Sequence, residues 1–284
     1  GDNDQAAAGD TGSVVGQDAV SGAGDNTQST NLGDGSVSEQ HAQTNSGDNN
    51  QSAVVGDNSI NSQVAENGSG TNDQSVVGGS NVISHQEASG GESLQTAAIE
   101  SGTAVQVGGN VQHVESTGGP VVSDQQGDRF GDNQQDFRGS NQDDISSQTA
   151  GQGFLNLFDN KTTANAELGA GNDVYTYEGN SEANHVRLDG GGRHTGTDQD
   201  VVRIDTKGGN DTVVMNLSGD RDTYQVDLGG GNDRLVVNED GQRVRIVGAD
   251  GREVYRSEGW TEQDGTATVN GMENLTVYRE DGTF

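Results

Sequence analysis

Cysteine is absent from this 284-residue chain, which removes disulfides, thiol nucleophiles and zinc–thiolate clusters from its chemistry. Bulky side chains are scarce as well: 27% of residues are hydrophobic and 4% aromatic, too few for a conventional globular core. No apolar run is long enough to cross a bilayer as a helix. Positive charge is the third shortage. Two lysines and twelve arginines face 45 acidic residues, the net charge is −31, and the first basic residue is Arg129. Such a chain repels nucleic acid and anionic membrane surfaces, so neither binding to nucleic acid nor insertion into a membrane is expected. Divalent cations are its natural counterions, and a salt-rich habitat would produce the same bias. The sequence starts at Gly1 without methionine, and the expectation is an exported protein that has lost an upstream segment.

Glycine is abundant, with 46 residues, and it recurs in phase with other residue types. From Glu167 to Gly248 the chain divides into seven eleven-residue rows, such as DTKGGNDTVVM, NLSGDRDTYQV and DLGGGNDRLVV. Each row is a turn, an aspartate and a short β-branched or aromatic run. The aspartate column holds Asp173, Asp200, Asp211, Asp222 and Asp233, with Asn184 replacing it once. The third row fits when RHTGT (Arg193 to Thr197) is set aside as an insertion, and the last, NEDGQRVRIVG, has Val244 in the aspartate place and reads as an exit row. If two rows make one coil, Asp211 and Asp233 share one edge while Asp200 and Asp222 share the other. Glycine turns aim carbonyl oxygens at a common centre, the carboxylate adds a charged oxygen, and hard oxygen donors of this kind suit calcium.

Three of these turns carry a resemblance. GAGND (Gly169, Gly171, Asp173), GGND (Gly208, Gly209, Asn210, Asp211) and GGGND (Gly229, Gly231, Asn232, Asp233) resemble the calcium-binding nonapeptide of RTX (hemolysin-type) proteins. The resemblance covers residues 167–248 and implies a parallel β-roll binding Ca²⁺ between coils, generally in secreted bacterial proteins. It departs from the family in its period of eleven rather than nine, and in Thr206 and Lys207 standing where two glycines belong. A metal-free solenoid in which Gly-Asn-Asp only makes tight turns is the competing reading.

The first half repeats on a longer step. GDNDQAAAGDTGSVVGQ returns at Gly24, Gly47 and Gly70, twenty-three residues apart each time. Paired glutamines recur at Gln5/Gln17, Gln28/Gln40, Gln51/Gln63 and Gln74/Gln86. After an irregular stretch near Gly91 to Val107 the unit resumes at Gly108 and Gly131, so six clear copies and one imperfect copy fill Gly1 to about Gly153. Each copy predicts two strands and two turns, with Val14, Val37, Ile60 and Val82 near the centre of the second strand. Stacked coils would align glutamines and asparagines into hydrogen-bonded ladders. This half is similar in kind to curli-type amyloid repeats, although the spacing of its amides differs.

The expected architecture is therefore all-β: polar solenoid repeats over 1–153, an apolar junction over 154–166, an RTX-like β-roll over 167–248, and a cap or assembly segment over 249–284. In the junction, Phe154, Leu157 and Phe158 would plug a solenoid end or contact another subunit. Five histidines form no triad or metal motif; His194 beside Asp198 and Asp200 reads as a loop residue, and no enzyme is expected. The expected function is that of a secreted prokaryotic structural protein, a calcium-stabilised subunit of an extracellular fibre, surface layer or biofilm matrix, assembling with itself end to end and contacting a cell surface or polysaccharide. The alternative is a soluble RTX-like adhesin that binds carbohydrate or ice.

Overall fold

Strand Asn26–Leu32 alternates strictly between buried and exposed residues, and its inward positions are Asn26, Gln28, Thr30 and Leu32. That alternation, followed by a Gly-Asp turn and a second alternating strand, makes one coil of a β-solenoid with parallel strands. The computed structural model describes residues 1–90, 92–109, 111–127, 133–139, 144–149, 162–168, 172–190, 199–217, 221–239, 243–262, 264–271 and 274–278. Two compact units divide the chain, Gly1–Asp128 and Arg129–Phe284.

In the first unit, strands Asn3–Gly9, Asn26–Leu32, Asn49–Val55, Thr71–Gly78, Glu92–Ile99 and Val111–Ser116 stack as one parallel sheet. Strands Val14–Ser21, Val37–Thr44, Ile60–Asn67, Val82–Ser89, Gly102–Gly109 and Val121–Gly127 stack as the facing one. Amides run through the interior, among small and aliphatic residues such as Ala42, Ala65 and Val76. Gln51 Nε2 donates to Gln28 Oε1 at 2.9 Å in the coil before and to Val64 O at 3.0 Å on the facing sheet. Gln74 repeats this toward Gln51 and Glu87 O, and Gln95 toward Gln74 and Val107 O. A second ladder runs Gln17, Gln40, Gln63, Gln86, Gln106 and Gln125, with steps of 2.8 to 3.1 Å. Each amide thus ties its coil to the neighbouring coil and one wall to the other, which lets a polar group be buried at little cost.

The irregular stretch is itself a coil. Strands Glu92–Ile99 and Gly102–Gly109 place Gln95 and Gln106 in the ladders, 21 residues after Gln74 and 20 after Gln86. It is the imperfect copy that the repeat count expects, and its connecting turns are shorter, which breaks the fixed step of twenty-three. Val82 needs a correction too. It points inward with no exposure, whereas Ile83 pairs outward with Ile60, and Val14, Val37 and Ile60 open their strands rather than centre them.

In the second unit the first sheet runs through strands Asn133–Arg138, Thr162–Glu167, Asn184–Asp189, Thr212–Asn216, Arg234–Asn238 and Asn274–Tyr278. The facing sheet stacks Ile145–Thr149, Val174–Glu178, Val201–Asp205 and Thr223–Asp227. Two eleven-residue rows do make one coil, since Asp205 pairs with Asp227. The core here is apolar. One column reads Gln135, Ala164, Val186, Val213, Leu235, Leu275, so the register that starts as glutamine continues as aliphatic side chains. On the facing wall Tyr175 Oη donates to Gln148 Oε1 at 2.7 Å, a hydroxyl meeting an amide where the aromatic core begins.

The last row does not stack as expected. Strand Gly265–Asn270 inserts between Thr223–Asp227 and Val244–Gly248, so the NEDGQRVRIVG row is displaced from the NLSGDRDTYQV row, two rows earlier, on which it would otherwise stack. Val244–Gly248 then turns back on the antiparallel strand Glu253–Arg256. Trp260 lies under both Arg245 and Arg256, 5.5 and 5.0 Å from ring centre to guanidinium, and its indole N–H donates to Gly265 O at 3.0 Å. This hairpin forms the terminal edge of the sheet. The apolar junction at Phe154, Leu157 and Phe158, and the RHTGT insertion with His194, lie outside the described residues.

Candidate metal site

A residue immediately before a strand sits where the chain turns inward, so its side chain enters the end of the core rather than the solvent. Asp173, Asp200 and Asp222 hold that place on one edge and Asp211 and Asp233 on the other, all no more than 4% exposed. Asp211 N–H donates to Asp233 Oδ1 at 2.8 Å, one coil on. Across the roll, Asp173 N–H donates to Asp200 Oδ1 and Asp200 N–H to Asp222 Oδ1, both at 2.9 Å. The structure adds Asp144 to this second column, 1% exposed, with its N–H on Asp173 Oδ1 at 2.7 Å. No RTX-like turn marks Asp144 in the sequence. Its only signal is a position just before the strand ISSQT. Asn184 stands in the Asp211 column, as its row implies, and gives Asp211 Oδ1 both its backbone N–H, at 2.7 Å, and its side-chain amide, at 3.0 Å.

The neighbouring asparagines face outward. Asn210 Oδ1 accepts the N–H of Asn232 at 2.9 Å, and Asn172 Oδ1 accepts that of Gln199 at 2.9 Å. In the first unit the same two jobs are done by the opposite residues. Asp25 Oδ1 accepts the N–H of Asp48 at 2.9 Å from the solvent side, while buried Asn26 and Asn49 pass a hydrogen bond from Nδ2 to Oδ1 at 2.9 Å. GDN and GND are one structural pair with its acid and amide exchanged.

The glycines serve close stacking of the turns. Gly231 has φ 149°, and a Cβ there would lie 1.5 Å from Gly209 O; at Gly229, with φ 72°, it would lie 1.7 Å from Lys207 O. Gly208 and Gly209 occupy the coil beneath, where Gly209 N–H donates to Gly230 O at 3.0 Å. Gly169 and Gly171 lie outside the described residues.

Burial pushes the Asp211 carboxyl above the usual carboxylate range, Asn184 N–H opposes this, and the charge of Asp233 adds to it. Tyr177, buried beside the same edge with its hydroxyl on Asn184 Oδ1 at 2.8 Å, is pushed up by burial first and by Asp211 second. Asp211 Oδ2 is buried and accepts no hydrogen bond. The set fits a hard cation to this extent: its donors are oxygens, one buried carboxylate oxygen of Asp211 is open, and a dication would offset the repulsion between Asp211 and Asp233. Among the described residues no three His, Asp, Glu or Cys side chains converge as one cluster, so backbone oxygens of the turns would have to complete any shell. Known protein families, curated proteins and solved structures offer no match to this chain.

Proposed function

We propose that this chain is a secreted structural protein, a β-solenoid subunit of a prokaryotic extracellular fibre, surface layer or biofilm matrix, whose carboxylate-lined unit is stabilised by calcium. The observation that carries the structural reading is the pair of glutamine ladders: side chains that elsewhere would line a site are instead bonded coil to coil and wall to wall. Such an interior leaves interactions to the outer faces. Asp211 and Asp233 are the side chains that would hold calcium, which would supply charge compensation rather than catalysis, and we assign no enzymatic activity.

Association of copies end to end is supported by the parallel sheets, because their two edges differ and so form heterologous contacts that propagate. The edge at Glu253–Arg256 is short, charged and antiparallel, features that blunt edge pairing. Growth would therefore run through the sheet that holds Asn274–Tyr278.

Calcium titration of chelated protein, followed by circular dichroism and electron microscopy at both end points, tests the proposal. The expected result is a gain of β signal with half-saturation at about 10⁻⁴ to 10⁻³ M, the range of extracellular calcium modules, and filaments or sheets in the loaded sample. A β signal indifferent to chelation removes calcium from the reading, and dispersed monomers at saturating calcium remove self-assembly. The second reading, an adhesin, is favoured by one exposed column of side chains considered next.

A further inference from the structure

Outward-facing Val14, Val37, Ile60, Ile83, Thr103 and Val122 stand in register on six successive coils of the first unit. Val14 is 76% exposed, and Ile60, Ile83 and Val122 are between 43% and 52% exposed. Pairing of β-branched neighbours stabilises any sheet and would account for a few of them. It does not account for a column that never lapses, since the next outward column reads Gly16, Glu39, Ser62, His85, Val105, Asp124 and changes type at every coil.

We propose that this column binds a single extended chain of an uncharged polysaccharide. The proposal deepens the adhesin reading and relies on the extracellular placement proposed above for its polymer. The column is one residue wide and, at about 4.8 Å per coil, roughly 24 Å long, which is the shape of a polymer chain rather than of a flat crystal face or a folded partner. Polar groups border it on both sides. On one side the turn residues Asp34, Asp57 and Ser80, three positions ahead of Val37, Ile60 and Ile83, stack coil on coil, Oδ1 of Asp34 and of Asp57 each accepting the N–H of the next. On the other edge an open depression of about 400 Å³ is lined by Gly16, Asp18, Glu39 and His41, and Gly16 has nothing within 4 Å of where a Cβ would stand. Sugar rings whose hydroxyls are equatorial form a ribbon with C–H faces in the middle and hydroxyls along both edges, the complement of this strip.

Charge selects the occupant further. Residues 1–128 contain eleven Asp, six Glu and no Lys or Arg, so polyanions and a second copy of this unit are repelled. Branching at Cβ restricts χ1 of Val and Ile, and the glutamine ladders fix coil spacing, so the strip loses little freedom when it binds. Each aliphatic contact is weak, and affinity comes from engaging several coils at once.

The test is depletion of the full chain from solution by microcrystalline cellulose and by chitin particles, with the Val37→Thr/Ile60→Thr/Ile83→Thr variant beside the parent. The variant keeps β-branching and should melt like the parent, yet its affinity should fall at least tenfold. Thr103→Val, which completes the aliphatic run, should bind about twofold or more tighter, and this gain keeps the test decisive if the triple variant proves unstable. A six-sugar fragment should compete and a two-sugar fragment should not. Failure of the parent to bind either polymer, or equal binding by parent and triple variant, overturns the proposal. Self-association or ice shaping that depends on the column, without polymer binding, overturns it in favour of that occupant. Either failure with the calcium response intact leaves the structural proposal standing.

Discussion

The two units wind the same two-stranded coil around different interiors. In residues 1–128 the central inward columns are glutamine, with an asparagine column beside them and small or aliphatic residues at the remaining inward places, and Gln28, Gln51 and Gln74 are at most 2% exposed. In the second unit one such column moves from Gln135 through Ala164 and Val186 to Leu235. An amide column is a chain of mutual obligations, because every glutamine is at once donor to one neighbour and acceptor from the other. An aliphatic column only has to be filled. The first therefore demands sequence identity at every step, and the second accepts Ala, Val, Met or Leu.

Substitution at matching places should expose the difference most. Gln51→Leu removes the donor to Gln28 Oε1 and Val64 O and the acceptor of Gln74 Nε2, leaving several buried polar groups short of partners. A cost of about 3 kcal/mol is expected in urea unfolding followed by circular dichroism, although the change adds apolar volume. Val213→Leu, in a column that already holds Leu235 one coil on, should cost less than about 1.5 kcal/mol. Equal costs would mean that the ladders do not set the stability of the first unit.

Glycine gives the next effect. Gly231→Ala forces a Cβ against Gly209 O at a φ of 149°, and a loss of about 2 kcal/mol is expected. Gly16→Ala, with open space around it and ordinary backbone, should be neutral within about 0.5 kcal/mol. Thermal melts of both variants check this, and a neutral Gly231→Ala would show that the stacked turns can separate.

Much of this was legible because strict ladders impose strict repeats. The 23-residue step, the strand pair in each coil and the placing of Asp211 and Asp233 on one edge all follow from spacing. Where turns shorten, as around Gln95 and Gln106, the ladder persists but the step does not, so spacing shows an imperfect copy without saying which glutamines continue the ladders. Insertion of Gly265–Asn270 between two earlier strands is a tertiary choice that no local period records. The exchange of GDN for GND was visible as letters. Its meaning was not, because sequence does not say which of two adjacent side chains turns inward or which coil supplies the N–H.

That exchange yields a prediction of opposite sign. Burial raises the Asp211 carboxyl, so the folded state holds its proton to higher pH than the unfolded chain does. Between the ordinary carboxylate value of 3.8 and the raised one, stability from this group falls as pH rises, and at neutral pH without divalent metal the charged form is a liability. Asp211→Asn, which copies Asn184 one coil earlier, should therefore raise the melting temperature in chelator at pH 7 and flatten the slope below it. Lower stability in chelator would show that the carboxylate is compensated without an added cation.

The smallest expected effect lies within the second unit, where a glutamine meets the aromatic core. Tyr175 is fully buried, and its hydroxyl donates to Gln148 Oε1 at 2.7 Å, so an aromatic ring that belongs to the apolar core also supplies the hydrogen bond an amide would supply in the first unit. Burial and the nearby Tyr177 hold its phenol protonated far above neutral pH, which keeps it a donor. Tyr175→Phe preserves the ring and removes only that bond, and a loss of about 1 kcal/mol is expected, independent of pH from 5 to 9. Tyr175→Leu, which loses the ring as well, should cost more, about 2 kcal/mol or above. Should the two variants lose the same amount, the hydroxyl would carry the whole effect and the ring would add nothing. Should Tyr175→Phe lose nothing, the apolar core would need no polar link to the glutamine beside it.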